Sequence, residues 1–373
     1  MTDVTVVLPV YNGSQYLSQA IESILAQTFQ NWELIIVDDC SADSSLKIAE
    51  GYAQRDNRIQ IIHNAENQKL PRSLNIGFAN AKGKYLTWTS DDNLYQSRAL
   101  EVMVSFLDTH PEYGLVYCDM EYIDESGNVI SNTQKSSHNL YLSDCVGACF
   151  MYRREVAETV GGYDPNKFLV EDYDYWLRIS FQYSIGRVPE LLYSYRHHSG
   201  NMTAVYGKRI ASKVFDLLLE YLDKISDRLD DHDFFYYCIG LLLNKPEAGQ
   251  KLDELAAQRG IPFHSEKIVK HNSYDPNKRF VIFGAGVLGR QALQLIGHER
   301  TAYFADNMKY GQFVDEIPII SAERMEELQF VYNIMIAADF NKTAEIIEQM
   351  DQLNVTEYSI FLLIKDQLQK GVN

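Results

Sequence analysis

Short apolar runs alternate with segments of helical periodicity through the N-terminal part of the chain, and this alternation limits the fold more than any other feature. The runs are rich in β-branched and aromatic residues, which favour buried strands. They span 4–10, 32–37, 59–63 and 85–89, and helical segments separate them at 17–25, 43–54 and 72–81. Ser14 is placed to cap the first helix. Strands and helices of this length predict an α/β fold with a doubly wound sheet whose strands are parallel.

Polar residues follow three of these runs at the point where each strand ends. They are Tyr11-Asn12, Asp38-Asp39 and Asp91-Asp92. In a doubly wound sheet the ligand lies outside the carboxyl ends of the strands, so these residues should meet there. A buried carboxylate needs a partner, and a divalent cation bound to a phosphorylated ligand would provide one for Asp91 or Asp92. The alternative is that Asp91-Asp92-Asn93 only caps a turn.

Length, charge and cysteine content narrow the functional classes. A chain of 373 residues predicts two domains with a helical piece between them. The formal net charge of −17 disfavours binding to nucleic acid or to anionic lipid. The sequence has no apolar run of membrane-spanning length and no basic leader, and its five cysteines include no Cys-x-x-Cys pair. We therefore expect a cytoplasmic protein with reduced thiols, in which any membrane contact would be through a local peripheral patch on the inner face.

Three motifs resemble those of the family 2 inverting glycosyltransferases, which have the GT-A fold. They are Val6-Val7-Leu8-Pro9-Val10-Tyr11-Asn12, Ile36-Val37-Asp38-Asp39-Cys40-Ser41 and Ser90-Asp91-Asp92-Asn93. The stretch from Asp91 to Glu112 is similar to the spore-coat polysaccharide type within that family. The resemblance implies a doubly wound, mixed sheet that binds a nucleoside diphosphate sugar.

The resemblance also implies roles for individual residues. Asp39 would bind the base of the nucleotide and Asp91 its ribose, while Asp92 would be a ligand of Mn²⁺ or Mg²⁺. The other nucleotide-binding candidates are Pro9, Tyr11, Asn12 and Arg72. Arg72 is explained equally well as a surface charge on a helix. Many family members have an aspartate two residues before Asp91, where this chain has Thr89, so the carboxylate ligation of the metal rests on Asp92.

Two further motifs lie later in the chain. Glu171-Asp172 opens a predicted helix and matches the acidic pair that carries the family's catalytic base, at Asp172; favourable charge at a helix N-terminus explains the pair without chemistry. The segment from Tyr193 to His198 resembles the family's Tyr-Arg-x-His, and His198 fits the position that reaches the metal or the diphosphate. A lone histidine is more often structural. A single carboxylate base on the face opposite the leaving diphosphate implies an inverting transfer, by analogy with inverting glycosidases.

We expect the chain to divide into four parts. They are a GT-A catalytic domain at 1–205, a helical extension packed on it at 206–263, a linker at 264–278 and a small Rossmann-like domain at 279–373. The polar span from Asp124 to Asn139 is either an acceptor loop or a plain hairpin.

The last part contains a second nucleotide-binding signal. Gly284, Gly286 and Gly289 form a Gly-x-Gly-x-x-Gly between a predicted strand and helix, and Asp306 ends the next strand, where a ribose-binding acid would lie. The motif alone is weak, and we favour an accessory module over a site for NAD or another nucleotide.

The sequence favours the hypothesis that the protein is a metal-dependent glycosyltransferase. It would move a sugar from a nucleoside diphosphate, with UDP preferred, to a glycan or lipid-linked acceptor in surface polysaccharide biosynthesis. The alternatives are an NAD-dependent oxidoreductase centred on Gly284 to Asp306 and a nucleotide-sugar-binding protein without turnover.

Overall fold

The computed structural model describes residues 2–133, 139–261, 263, 265, 274–338, 340–361 and 368. The chain divides into two compact units, Met1–Leu217 and Leu218–Asn373. Most of the predicted linker at 264–278, and residues 134–138 of the predicted polar span, lie outside the described residues.

The first unit contains nine strands and six complete helices within the described residues, and a seventh helix that runs past its end. In chain order they are β1 Val4–Val10, α1 Leu17–Leu25, β2 Trp32–Asp38, α2 Ser45–Ala53, β3 Ile59–His63, α3 Leu70–Ala79, β4 Tyr85–Trp88, β5 Leu94–Tyr95, α4 Ala99–Thr109, β6 Tyr113–Ile123, β7 Val129–Thr133, β8 Phe150–Arg153, α5 Arg154–Val160, α6 Glu171–Ser180, β9 Ser184–Arg196 and α7 Met202–Glu220.

The nine strands form one mixed sheet in the order β3-β2-β1-β4-β8-β6-β9-β5, with β7 paired to β6. β1 is parallel to β2 and to β4, and β2 is parallel to β3, as the alternating pattern predicts. β8 is antiparallel to both β4 and β6. The α/β class and the doubly wound, mixed sheet of a GT-A fold are therefore confirmed.

The central strands form because their side chains are apolar on both faces, as expected where helices cover both sides of a sheet. Every residue of β1 is buried, and so are those of β2 except Glu33. α1 contributes Leu17, Ile21 and Ile24 to the same core. The parallel strands β1, β2 and β4 thus end at one edge, and the candidate site lies along that edge.

A second packed layer consists of aromatic side chains and supports α6. Tyr163 stacks on Tyr175 with 4.2 Å between ring centroids, and its hydroxyl accepts a hydrogen bond of 3.0 Å from Trp88 Nε1. Phe150 packs on Trp176 at 4.4 Å. These contacts join α6, which carries Asp172, to β4, which leads into Asp91 and Asp92.

The structure contradicts one local prediction, the Ser14 cap, and shows which local form the polar span takes. Ser14 does not cap α1: the helix begins at Leu17, and the N–H of Ser14 donates instead to the carboxylate of Asp43. The polar span is a hairpin over its described part, because β6 extends to Ile123 and pairs with β7.

The second unit begins with helices and ends with a smaller sheet. Its elements, in chain order, are α8 Leu222–Ser226, α9 Asp231–Asn244, α10 Gly249–Gln258, β10 Phe280–Phe283, α11 Val287–Ile296, β11 Thr301–Ala305, β12 Phe313–Val314, β13 Ile317–Ile320, α12 Met325–Leu328, β14 Asn333–Ile336, α13 Phe340–Gln352 and β15 Tyr358–Ile360. The strand order is β12-β13-β11-β10-β14-β15, parallel except between β12 and β13. None of the described helices has the length and apolarity needed to cross a bilayer.

The boundary between the two units differs from the predicted one. The prediction placed the whole helical segment 206–263 with the first domain. The division between the units falls inside α7, so 218–263 is counted with the second unit. The physical reason is burial within that unit: α9 packs on α13, and Tyr237 of α9 donates a hydrogen bond of 2.6 Å to the carbonyl of Leu218.

Gly77 lets α3 approach the sheet, and this contact gives a stability prediction. A Cβ at Gly77 would lie 2.5 Å from Val7 Cγ1 and 3.2 Å from Val37 Cγ2. We expect Gly77→Ala to lower the free energy of unfolding by about 1–2 kcal/mol, because overpacking exceeds the gain in helix propensity. Denaturant titration followed by tryptophan fluorescence measures this change.

Gly51 of α2 is the matched control. A Cβ there meets nothing within 4 Å, so Gly51→Ala should raise the free energy of unfolding by about 0.4–1 kcal/mol. All three tryptophans lie in the first unit, at Trp32, Trp88 and Trp176, so the signal reports that unit alone. Equal stability of Gly77→Ala and the parent protein would contradict the close packing of α3.

Candidate functional site

The loops after β1 and β2 are held together by hydrogen bonds between their backbones and short side chains. Asn12, in the left-handed region at φ 55°, accepts from the N–H of Ala42 and donates its own N–H to Ser41 Oγ. The N–H of Gly13 donates to Ser45 Oγ at 3.0 Å. These contacts fix the backbone that follows Pro9 and leave the Tyr11 side chain 53% exposed at the edge of the sheet.

Asp43 completes this loop contact. Burial opposes its ionisation, but hydrogen bonds from Ser45 and Ser14 outweigh burial and lower the pKa of Asp43 to about 2. A carboxylate that stays ionised in this way is a permanent acceptor for the β1 loop.

Asp39 is buried and already accepts three hydrogen bonds. They come from Asn64 Nδ2 at 2.9 Å, from the N–H of Gln68 at 2.7 Å and from the N–H of Lys69 at 3.0 Å. Lys69 has a φ of 69°, so Asp39 stabilises a left-handed residue immediately before α3. The carboxylate therefore shapes the loop between β3 and α3 in addition to any contact with a base.

Asp91 lies against the β1 loop. A Cβ at Gly13 would overlap the Asp91 carboxylate, so only glycine lets the loop pass this close. Burial, and after it the charge of Asp92, raise the pKa of Asp91 to about 7. A carboxyl group whose pKa lies near 7 can accept a hydrogen bond from a ligand hydroxyl when ionised and donate one to it when protonated.

Asp92 and His198 form the closest polar pair at this edge. His198 Nε2 lies 3.0 Å from Asp92 Oδ2. His198 Nδ1 accepts from the N–H of Gly200 at 3.3 Å, which assigns the ring proton of a neutral imidazole to Nε2. The second oxygen of Asp92, Oδ1, is buried and has no hydrogen-bond partner among the described residues.

His197 does not share this arrangement. Its ring packs on Tyr122 with 4.8 Å between centroids, and its N–H bonds the carbonyl of Ile123. The structure therefore brings His198, and not His197, to Asp92.

The donor set at Asp92 fits a hard divalent cation only in part. No group of three or more His, Cys, Asp or Glu side chains that could hold a metal occurs among the described residues. Asp92 and His198 supply two donors, and the unpartnered Oδ1 of Asp92 is the atom that a cation would satisfy. Mg²⁺ and Mn²⁺ commonly bind through one or two protein ligands with substrate phosphates and water. The residues therefore fit a metal that arrives with a diphosphate.

Arg196 fixes this pair in place, and sequence reasoning missed its role. The side chain is 1% exposed. Its Nε donates to the carbonyl oxygen of Asp92 at 2.9 Å, and its Nη2 donates to Gln19 Oε1 at 2.8 Å. Its Nη1 donates at 3.2 Å to the carbonyls of both Asp124 and Glu125. One guanidinium thus joins β9 to the Asp92 turn, to the β6–β7 hairpin and to α1.

Asp172 lies in the first turn of α6, as predicted. Its Oδ1 accepts from the N–H of Tyr173 at 2.7 Å, which is the expected helix N-terminal contact. Burial, followed by the negative charges of Asp144 and Glu171, raises the pKa of Asp172 well above its usual range. Asp144 lies outside every sequence motif, so no pattern in the sequence pointed to it.

Glu171 is buried and has a structural contact of its own. It accepts a hydrogen bond of 2.6 Å from the N–H of Leu169, which has a φ of 84°. Burial raises the pKa of Glu171 to about 7 against the lowering effect of its hydrogen bonds. Glu171 therefore braces the strained residue that leads into α6.

Tyr195 links the two acidic centres. Its pKa is raised by burial, and the charges of Asp92 and Asp172 both add to that rise against a hydrogen bond with Thr203. The charges of Asp92, which follows β4, and of Asp172, on α6, thus both act on the same tyrosine.

Arg72 and Asn75 share a motif but not a role. Arg72 is exposed in the first turn of α3 and makes no ion pair within the described chain. Asn75 donates to the carbonyl of Tyr163 at 2.7 Å and accepts from its N–H at 2.8 Å. The amide of Asn75 therefore holds the Gly161–Tyr163 turn against α3.

The glycine motif of the second unit forms the predicted strand–turn–helix. A Cβ at Gly289 would overlap the carbonyl of Gly284, while one at Gly286 would meet nothing. Asp306 accepts from the N–H of Ala285 at 3.2 Å and from two N–H groups of its own turn. Both oxygens of this acid are therefore engaged in bracing loops.

Comparison with known proteins identifies relatives of this chain. The family model described as Glycosyl transferase family 2 matches residues 5–161. The putative glycosyltransferase EpsE of Bacillus subtilis (strain 168) is 34% identical over 204 residues, which is 52% of this chain and 73% of EpsE. The uncharacterized glycosyltransferase RP339 of Rickettsia prowazekii (strain Madrid E) is 30% identical over 212 residues, or 54% of this chain and 65% of RP339.

Solved structures with a similar chain trace are more distant. The mannosyltransferase PcManGT from Pyrobaculum calidifontis, in complex with GDP-Man and Mn²⁺, has 17% identity and a TM-score of 0.48. The similarity covers 72% of this chain and 78% of that one.

The Arg196 network gives a stability prediction. Arg196→Lys keeps the charge, but an ammonium group cannot bond four separated oxygens. We expect the free energy of unfolding of the first unit to fall by about 2–4 kcal/mol, since buried acceptors lose their donors. Arg55→Lys, an exposed change just beyond the end of α2, should shift it by no more than about 0.5 kcal/mol. Equal effects of the two substitutions would show that Arg196 is not a structural centre.

Proposed function

Since the chain belongs to the family 2 glycosyltransferases, we propose that it moves a sugar from UDP to a glycan or lipid-linked acceptor of surface polysaccharide biosynthesis. The reaction inverts the anomeric carbon and depends on Mn²⁺ or Mg²⁺. The observation that supports metal dependence most directly is the buried Oδ1 of Asp92, which has no partner among the described residues and lies beside His198.

The nucleotide binds along the edge formed by the β1 and β2 loops. Tyr11 offers an exposed ring for the base, and Asp39 offers its carboxylate to the base N–H. The ribose hydroxyls bind Asp91, whose pKa near 7 suits a hydroxyl partner. Pro9 and Asn12 contribute through the backbone that they fix, and Arg72 reaches toward the nucleotide from the start of α3.

Asp92 and His198 would hold a cation together with the diphosphate. A cation held there would supply positive charge to offset the negative charge that develops on the departing diphosphate. As a ligand, His198 would have to lose the Nε2 proton that it now shares with Asp92 Oδ2, because a metal binds the nitrogen lone pair.

Asp172 is the general base. It removes the proton of the acceptor hydroxyl while that oxygen attacks the anomeric carbon, and the sugar–phosphate bond breaks on the opposite face. The pKa of Asp172, raised by burial and by its acidic neighbours, increases its affinity for that proton. Glu171 positions Asp172 by holding Leu169 in its left-handed conformation.

The domain at 279–373 serves as an accessory module. Both carboxylate oxygens of Asp306 accept hydrogen bonds from backbone N–H groups, which supports a role in holding the surrounding loops over a role in binding ribose. Thermal-shift titration with NAD would contradict this assignment if NAD stabilised the second unit.

The metal site is tested by Asp92→Asn, which keeps the shape of the side chain but removes the charge that a hard cation needs. We expect loss of Mn²⁺-dependent UDP binding in calorimetry with little change in stability. His63→Gln is the matched control, because His63 pairs with Asp38 at 2.7 Å at the ends of neighbouring strands without a proposed metal role. UDP and Mn²⁺ binding by Asp92→Asn equal to that of the parent would place the metal elsewhere.

The base is tested by the pH dependence of turnover. Asp172→Asn should retain UDP binding while turnover falls by about 10²-fold or more. Asp144→Asn removes a negative charge that raises the pKa of Asp172, so ionised Asp172 persists to lower pH. We therefore expect the acid limb of the pH–turnover profile to move to lower pH.

Glu158→Gln, a charge change on the exposed side of α5, should leave that profile unchanged. An unaltered acid limb in Asp144→Asn, together with an active Asp172→Asn, would remove Asp172 from the base role. Loss of UDP binding in Asp172→Asn would show a contact with the nucleotide instead.

A further inference from the structure

The first half of α7 has little protein packed around it. Residues 203–206, 208, 209, 211 and 212 are exposed, including two large apolar side chains, Val205 at 55% and Tyr206 at 39%. A Cβ added at Gly207 would meet nothing within 4 Å. The apolar side chains Leu217 and Leu218, which do become buried, lie at the other end of the helix.

This exposed half is basic in an acidic protein. The segment 202–215 contains Lys208, Arg209 and Lys213 and no Asp or Glu, whereas the whole chain has a formal net charge of −17. Neither Lys208 nor Arg209 has an ion-pair partner in the part of the chain that the structure describes. Val205 is three residues from Lys208 and four from Arg209, so helical geometry places all three on one face.

The basic face lies beside the candidate site. α7 begins four residues after His198, and Asn201 accepts a hydrogen bond of 2.9 Å from the N–H of Ala204 in its first turn. The hydroxyl of Thr203 lies 3.2 Å from that of Tyr195, the residue that Asp92 and Asp172 both influence. Further along, the charge of Lys213 acts on Glu171.

We propose that this face, Val205, Tyr206, Lys208 and Arg209, docks the enzyme on an anionic lipid bilayer. The cationic groups bind lipid phosphates, while the tyrosine ring and the valine enter the interfacial layer. The same contact turns the Asp92–Asp172 side toward the surface on which a lipid-linked acceptor is presented. The docking itself does not depend on which nucleotide or sugar the site uses.

A second copy of the chain is a poorer occupant of the face. In a twofold interface the same patch meets itself, so Lys208 and Arg209 would face their own copies at close range. Like charges placed opposite one another are unfavourable, whereas anionic headgroups complement them. The contact with lipid is reversible and weakened by salt, since it rests on few charges and the rest of the protein is acidic.

The test uses the full chain and sedimentation with vesicles. One set of vesicles is phosphatidylcholine alone, and the other is equal parts of phosphatidylcholine and phosphatidylglycerol. The parent protein should sediment with the anionic vesicles only, and added salt should release it. Combining Lys208→Gln and Arg209→Gln should weaken the partition by about 25-fold, since each basic residue contributes about fivefold. Combining Val205→Ser and Tyr206→Ser should weaken it as well.

Lys47→Gln combined with Lys82→Gln is the matched control, because it removes two exposed charges from other elements of the same unit. This control should partition like the parent, and all variants should bind UDP with Mn²⁺ equally. Failure of the parent to bind anionic vesicles, equal binding to neutral vesicles, or equal weakening by the control would overturn the docking face. A change of oligomeric state in the Lys208 and Arg209 variant, measured by analytical ultracentrifugation, would assign the face to a second copy.

Discussion

A buried guanidinium that has no acidic partner among the described residues makes the contacts on which the candidate site depends. Arg196 is almost fully enclosed, and its hydrogen bonds go to backbone carbonyls and one amide oxygen. Burying a charge is costly unless every donor is satisfied, so the surrounding oxygens must stay where they are. The ring of Tyr16, 4.5 Å from the guanidinium carbon, adds a cation–π contact. The position of Asp92 thus depends on the hydrogen bonds that the buried Arg196 guanidinium requires.

The same edge holds carboxyl groups in three different electrostatic states. Hydrogen bonds keep Asp43 ionised, burial and the charge of Asp92 raise the pKa of Asp91 to about 7, and burial with the charges of Asp144 and Glu171 raises the pKa of Asp172 well above its usual range. Identical side chains acquire these differences from burial and neighbours alone. A site that must brace a loop, contact a hydroxyl and accept a proton can therefore be made from aspartates throughout.

The sequence predicted the features that are written in local periodicity, and failed where distant residues meet. Alternating apolar runs gave β1 to β4, and their polar ends gave Asp91 and Asp92. Nothing local indicates that Asn75 clamps Tyr163, 88 residues away, or that Arg196 bonds the carbonyl of Asp92, 104 residues away. Ser14 has the composition of a cap, but its backbone is used by the loop contact with Asp43. The apolar periodicity of the helices near α9 predicts a buried face, but it does not indicate which part of the protein packs against that face.

Arg196 holds the base of the β6–β7 hairpin through main-chain oxygens. Arg196 binds the carbonyls of Asp124 and Glu125, and the residues from Glu125 to Asn132 are all exposed. A backbone carbonyl is present whatever the side chain, so substitutions of these exposed residues keep the oxygens that Arg196 binds. The exposed residues of the hairpin can therefore be replaced, in evolution or by design, while the neighbouring site keeps its structure. Sequence differences between family members should accumulate there first.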